Sequence, residues 1–215
     1  MPAETAPAEI RHIPAAKDAP PRDAAARIVP HEMPPPPVPA GEPLWVFGYG
    51  SLMWNPGFPH SRAEPAVVRG YHRGFCIHSH HYRGTPERPG LVLGLDRGGT
   101  CRGIAFHVEP ADVPEAAEYL WRREMIDYVY IPTMVSIRRT CGSTHRAYAF
   151  VVNREHGSYV GDLPEAEAAA IIRRSAGVAG TNRDYLANTV RHLDELGLGD
   201  KALARLLALV EAGRA

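Results

Sequence analysis

The amino-acid sequence predicts an α+β fold: a small, mostly antiparallel β-barrel with flanking helices. Three observations carry that expectation. Residues 1–43 hold 12 of the chain's 21 prolines and no Phe, Trp or Tyr, so the core begins after them. From Leu44 to about Asn153 the apolar residues come in short β-branched and aromatic runs cut by Gly, Pro and Asp, which is the pattern of strands and turns. After Asn153 the spacing turns helical. Strands first and helices later is the order of an α+β domain rather than of alternating βαβ units.

Taken in order, the elements read as follows. Proline removes backbone donors and favours extended polyproline II. Residues 1–43, with Pro34-Pro35-Pro36-Pro37 among them, therefore read as a disordered arm ahead of a folded domain over 44–215. "LWVF", from Leu44 to Phe47, opens that domain as an apolar strand and breaks at once into Gly48-Tyr49-Gly50-Ser51. "FCIHSHHY" (75–82), "LVLGLD" (91–96), "RGIAFHV" (102–108), "TMVSIRR" (133–139) and "HRAYAFVVN" (145–153) continue the strands, with one helix among them at about 113–125. Helices over 164–176, 182–196 and 200–212 close the chain. Pro164 suits a first helical position, Thr181 suits a side-chain cap, and Gly177 and Gly197 stand where helices stop.

Bulk properties narrow the function. Lys+Arg and Asp+Glu balance at 24 each, so nothing draws the chain broadly to nucleic acid or anionic lipid. No apolar run approaches the roughly 20 residues of a membrane span, and the N-terminus lacks the apolar segment of a secretory signal. Cys76, Cys101 and Cys141 are far apart and form no CxxC pair. That speaks against a disulfide framework or a zinc knuckle and for a reducing, cytoplasmic setting.

Two stretches carry chemistry. In "VPEAAEYLWRREM" the 100° helical period puts Val113, Ala116, Ala117 and Leu120 on one stripe, with Glu115, Glu118 and Arg122 opposite. Glu124 falls on the apolar stripe, facing the barrel interior, whereas Arg123 falls off it. A carboxylate facing inward is unfavourable unless it is paired or used. Burial raises its proton affinity toward that of a general base, but an ion pair with a core arginine, or a helix-end residue curling back to water, fits the same pattern. In the second stretch, a glycine-bracketed turn after a strand exposes successive N–H groups, because glycine admits φ > 0 and close approach of a ligand. Such a nest holds carboxylates or a developing oxyanion; the alternative is a plain tight turn. Met53 stands where a dinucleotide fingerprint needs its third glycine, and no GKS or GKT is present. Ser51 is not in a GxSxG elbow. His78 and His80 share a strand face but lack further ligands at metal spacing, so no metal site is expected.

Taken together, "WVFGYGSLMWNPGF", "RGYHRGFCIHSHHYRGTPERPGLVLGL", "YLWRREM", "SYVGDLP" and "NRDYLANTV" resemble the ChaC-type γ-glutamylcyclotransferases over about 44–196. The resemblance implies a cofactor-free cleavage of glutathione into 5-oxoproline and cysteinylglycine on a compact barrel, making 44–215 a catalytic domain. It makes Glu124 the acid/base group and Phe47, Gly48, Tyr49, Gly50, Ser51 and Leu52 the substrate loop. It also places Arg83, Tyr130 and Tyr159 around the substrate. By the residues alone, Arg83 reads equally as a barrel-surface arginine and Tyr159 as a packing tyrosine. After Glu124 the chain reads "MIDYVYIP", where members of the family often carry a glycine before the tyrosine. Two other functions stay open from the sequence: a cyclotransferase for another γ-glutamyl compound, and a non-catalytic metabolite-binding regulator linked to cation transport. Oligomeric state is not legible.

Overall fold

In the computed structural model the described residues are 41–213. The proline-rich arm expected over 1–43 lies, up to residue 40, outside them. The strands are β1 (Leu44–Gly48), β2 (Arg62–Ser79), β3 (Gly90–Val108), β4 (Tyr130–Arg139), β5 (Thr144–Val152), β6 (Ala176–Gly177) and β7 (Gly180–Thr181). The helices are α1 (Val113–Glu124), α2 (Glu165–Arg174), α3 (Asn182–Glu195) and α4 (Lys201–Ala212). β1, β3, β2, β4 and β5 hydrogen-bond in that order and close into a barrel, while β6 and β7 form a small separate hairpin.

The barrel is mostly antiparallel, as the sequence predicts. Its seam is the exception: β1 runs parallel to β5, with Trp45 opposite Ala147 and Val46 opposite Tyr148, and β3 touches β5 in parallel at Leu95 and Val151. β1 shows why the sequence begins with an unbroken apolar run. Successive side chains of a strand point to opposite faces, and here both faces are covered. Trp45 and Phe47 pack with Val68, Leu95, Ala105, Ile137 and Ala149 in a cluster without helix residues, which fills the bore. Leu44 and Val46 pack outward with Phe106 and Phe150 against Ala116 and Leu120 of α1 and Leu186 of α3. Strands buried on both sides carry no polar alternation.

β2 and β3 are longer than the sequence runs suggest. β2 starts at Arg62, ahead of "FCIHSHHY", and stops at Ser79, so His80, His81 and Tyr82 belong to the following loop. β3 passes unbroken through Gly98-Gly99, where two separate strands were expected. Gly70, Gly98 and Gly99 adopt φ of 83°, 104° and 72°, and the register shifts between Arg69 and Tyr71. The two strands therefore bend together and stay paired.

The helices largely follow expectation. Thr181 caps α3 by accepting from the Asp184 N–H at 3.0 Å. α3 ends in a Schellman-type closure, with Leu198 N–H on Leu193 C=O at 2.8 Å and Gly197 at φ 67°. Pro164 stands one position earlier than expected, as the N-cap of α2. Gly177 is no helix stop. It lies in β6, where a Cβ would come within 2.3 Å of the His81 carbonyl oxygen; it is glycine so that this hairpin can press against residues 81–82.

Candidate active site

The turn after β1 is built by crowding rather than by left-handed backbone. Neither Gly48 nor Gly50 has a positive φ, contrary to the expectation from the sequence. A Cβ on Gly48 would sit 3.2 Å from both the Leu52 Cβ and the Phe106 ring, tighter than ordinary packing, so glycine is favoured here for closeness. Ser51–Met53 forms a single 3-10 turn, with Met53 N–H on Gly50 C=O at 2.9 Å. The first N–H groups of a helical turn have no partner within it, and the residues that carry them here, Gly50, Ser51 and Leu52, are among those lining a pocket of about 40 Å³. Arg73, buried within β2, donates to the Tyr49 carbonyl at 2.6 Å and pairs with Asp200 at 3.3 Å. The Tyr49 hydroxyl donates to the Phe150 carbonyl at 2.9 Å. The turn is thus fixed from both ends of one residue.

Across the pocket lies Glu124, the last residue of α1. It continues the stripe of Val113, Ala116 and Leu120, all buried, as the helical period predicts. "Inward" means toward the helix-covered outer wall, however, and not the bore: α1 contributes only to the cluster outside the barrel. The Glu124 side chain is 17% exposed and pairs with the adjacent Arg123, Nε to Oε1, at 3.1 Å. Burial raises its carboxyl above the ordinary carboxylate range, and the Arg123 guanidinium opposes the rise. Three tyrosines share the pocket with it: Tyr49, Tyr130 and Tyr185. Burial and the nearby Glu124 charge push all three phenols up. The Tyr130 hydroxyl donates to the Leu93 carbonyl at 2.8 Å.

A second cavity, of about 710 Å³, continues from the first. Ser51, Glu124, Tyr130 and Tyr185 line both. The larger one is also lined by His78, His80, His81, Arg83, Asp127 and His156. Burial and the neighbouring His80 lower the proton affinity of His78. Arg83 donates to the Ala179 carbonyl at 2.5 Å and lies 5.0 Å over the Tyr185 ring. It is placed by the β6–β7 hairpin, whose Val178 and Ala179 N–H groups bond the His81 and Tyr82 carbonyls at 3.0 Å each. Tyr128, in the stretch leading from α1 to β4, has φ 53° and is the one non-glycine at positive φ among the described residues. No group of three or more His, Cys, Asp or Glu among the described residues is arranged to hold a metal ion.

The sequence candidates thus divide. Tyr49, Gly50, Ser51, Leu52, Glu124 and Tyr130 meet at the small pocket, and Arg83 lines the larger cavity. Phe47 does not join them: its ring is fully buried in the bore, because β1 alternation sends it away from the helices. Gly48 serves the turn and lines neither cavity. Tyr159 lines neither; its hydroxyl donates to Asp96 at 2.7 Å and anchors the 153–159 loop to β3. Three residues at the site carry no site signal in the sequence. Arg123 falls off the apolar stripe by angle, yet its long side chain reaches back over the turn. Arg73 and Tyr185 sit inside "RGYHRGF" and "NRDYLANTV", and a buried arginine has no periodic signature.

Comparison with known proteins gives a consistent picture. The model of the family described as ChaC-like protein matches residues 44–213. The glutathione-specific γ-glutamylcyclotransferase of Escherichia coli (strain K12) is 36% identical over 169 residues, which cover 79% of this chain and 73% of that one. The glutathione-specific γ-glutamylcyclotransferase 1 of Mus musculus is 37% identical over 152 residues, covering 68% of each chain. The crystal structure of the glutathione-specific γ-glutamyl cyclotransferase from yeast shares the fold, with a TM-score of 0.71 and 23% identity over 81% of this chain and all of that one.

Proposed function

The chain belongs to the ChaC-like protein family, and from that premise we propose that it is a γ-glutamylcyclotransferase cleaving glutathione to 5-oxoproline and cysteinylglycine. The catalytic domain is 44–215. The observation that carries the reading is the position of Glu124, on the wall shared by the small pocket and the large cavity.

The substrate supplies its own nucleophile. The α-amine of the γ-glutamyl group reaches its own γ-carbonyl and closes a five-membered ring. Two obstacles stand in the way: the amine is held as an ammonium, and the cysteinyl nitrogen leaves poorly unless protonated. Glu124 meets both. As a carboxylate it takes the ammonium proton; as a carboxylic acid it delivers one to the departing nitrogen. Burial, which raises the proton affinity of the carboxylate, eases the first transfer. The N–H groups of Gly50, Ser51 and Leu52 hold the α-carboxylate or the tetrahedral oxygen, and Tyr49, Tyr130 and Tyr185 exclude water around the reacting atoms. The cysteinylglycine half occupies the larger cavity, with Arg83 near its terminal carboxylate. Folding the chain for attack contributes through proximity. No water is consumed and no cofactor is needed. Cys76, Cys101 and Cys141 are free thiols, and no helix among the described residues is long and apolar enough to cross a membrane. The free thiols support a cytoplasmic setting.

Glu124→Gln keeps the shape and removes the proton carrier. It should lower kcat by about 10²–10⁴-fold with the fold retained, as read by 5-oxoproline release from glutathione and by circular dichroism. Release at the parent rate would refute the assignment.

A further inference from the structure

We propose that Arg123 is the positioning residue of this site, a single guanidinium that locks the substrate-facing turn and the Glu124 carboxylate into one frame. The inference rests on the role given above to Glu124. All three Arg123 nitrogens are engaged, and on different parts of the site. Nε reaches Glu124 Oε1 at 3.1 Å. Nη2 donates to Ser51 Oγ at 2.9 Å, on the turn that faces the pocket. Nη1 donates to the Asn55 carbonyl at 2.5 Å and to the Tyr119 hydroxyl at 3.0 Å. Tyr119 is itself wedged against Gly57, where a Cβ would lie 1.9 Å from its hydroxyl. The guanidinium is therefore held between the end of α1 and the 51–57 segment. Arg122, one residue earlier, shows the contrast: it is exposed and pairs with Glu118 on its own helix.

A planar, five-donor fork does two things that a point charge does not. It sets the separation between the proton carrier and the turn, so the carboxylate and the N–H donors meet the substrate in register. It also places a fixed positive charge beside the carboxylate, opposing the effect of burial. The other groups facing Glu124 are Tyr49, in the turn after β1, Tyr130 on β4 and Tyr185 on α3. The larger cavity that Glu124 lines is also lined by His78, His80, His81, Arg83, Asp127 and His156. All of these remain when only position 123 is changed, so a difference between variants at that position belongs to the guanidinium.

The test compares the parent with Arg123→Met and Arg123→Lys, reading 5-oxoproline release from glutathione against pH. Arg123→Met removes an opposite charge, so the acid limb of kcat/KM should move up by about one pH unit or more. Arg123→Lys keeps the charge and loses the fork. Its acid limb should stay with the parent while kcat falls about tenfold to a hundredfold. A folded Arg123→Met with the parent's acid limb, or an Arg123→Lys with the parent's kcat, overturns the proposal. Should Arg123→Met fail to fold, Arg123→Lys and Ser51→Ala decide: both should lose kcat with the limb unmoved, and parent-like kcat in both refutes the frame. If the parent itself releases no 5-oxoproline, the functional reading fails separately. The Glu124 carboxyl is then titrated directly by carbon-13 NMR in the parent and Arg123→Met, where an unshifted midpoint sinks the inference without reference to activity.

Discussion

A carboxylate enclosed by three phenols and one guanidinium lowers folding stability even as it equips the site. Burial raises the proton affinity of Glu124 in the folded chain above its ordinary value, so the folded state binds that proton more tightly than the unfolded one. Stability then falls as pH rises from the unfolded carboxylate value through the folded one. The penalty is complete above the folded value and vanishes below the unfolded value. Glu124→Gln, a permanent mimic of the protonated form whose amide oxygen still accepts from Arg123, should melt at or above the parent temperature at neutral pH. The advantage should fade near pH 4, as read by calorimetry at both pH values. A lower melting temperature at neutral pH would mean that the pair with Arg123 outweighs the desolvation. The same residue shows what a sequence reveals at this scale. Glu124 is legible because a helix has a fixed angular step and the other stripe residues around it are apolar. Arg123 is not, because the step locates a Cα–Cβ bond and says nothing about where a flexible side chain ends.

At the scale of elements, the β2–β3 pair and α3 are joined by one side chain. Asn182, fully buried at the start of α3, accepts from the Leu91 N–H at 2.6 Å and donates to the Leu91 carbonyl at 2.7 Å. It does for β3 what a neighbouring strand would do. Asn182→Ala leaves both backbone groups buried without partners, which should lower stability by about 2–4 kcal/mol. Tm should fall by about 5–10 °C in differential scanning calorimetry, and a shift within one or two degrees of the parent would refute this role. The sequence announces α1, α3 and α4 well, since their apolar periods and caps are local. It understates β2 and β3, because Pro65, Gly70, Gly98 and Gly99 interrupt the alternation that marks a strand, and the pairing that carries the strand through them lies on another segment. The 176–181 hairpin was not foreseen at all; two-residue strands leave no period to read.

At the scale of the whole molecule, the last helix is tied to the first turn. The Asp200 side chain caps α4 by accepting from the Ala202 and Leu203 N–H groups and also holds the Arg73 guanidinium, which in turn grips the Tyr49 carbonyl. Asp200→Ala removes the cap and leaves a buried cation without its carboxylate, so it should lower stability by about 3 kcal/mol or more. It should also reduce kcat/KM at temperatures well below the transition, since Tyr49 loses its anchor. Asp200→Asn, which keeps an acceptor, should fall between. Loss of stability with unchanged kinetics would uncouple α4 from the site. The barrel class follows from the order of strands and helices, but this long-range tie does not, because 127 positions separate Arg73 from Asp200. The shared bend at Gly70, Gly98 and Gly99 has a bearing on where the chain tolerates a change of length. Before the bend β2 is a stave of the barrel; after it β2 carries Phe75, Ile77 and part of the wall of the larger cavity. One residue inserted there would swap the faces of everything downstream, emptying the cavity wall into solvent. The turn at Gly142, where a Cβ would meet nothing within 4 Å, is the opposite case and offers a place to graft foreign sequence without disturbing the chemistry.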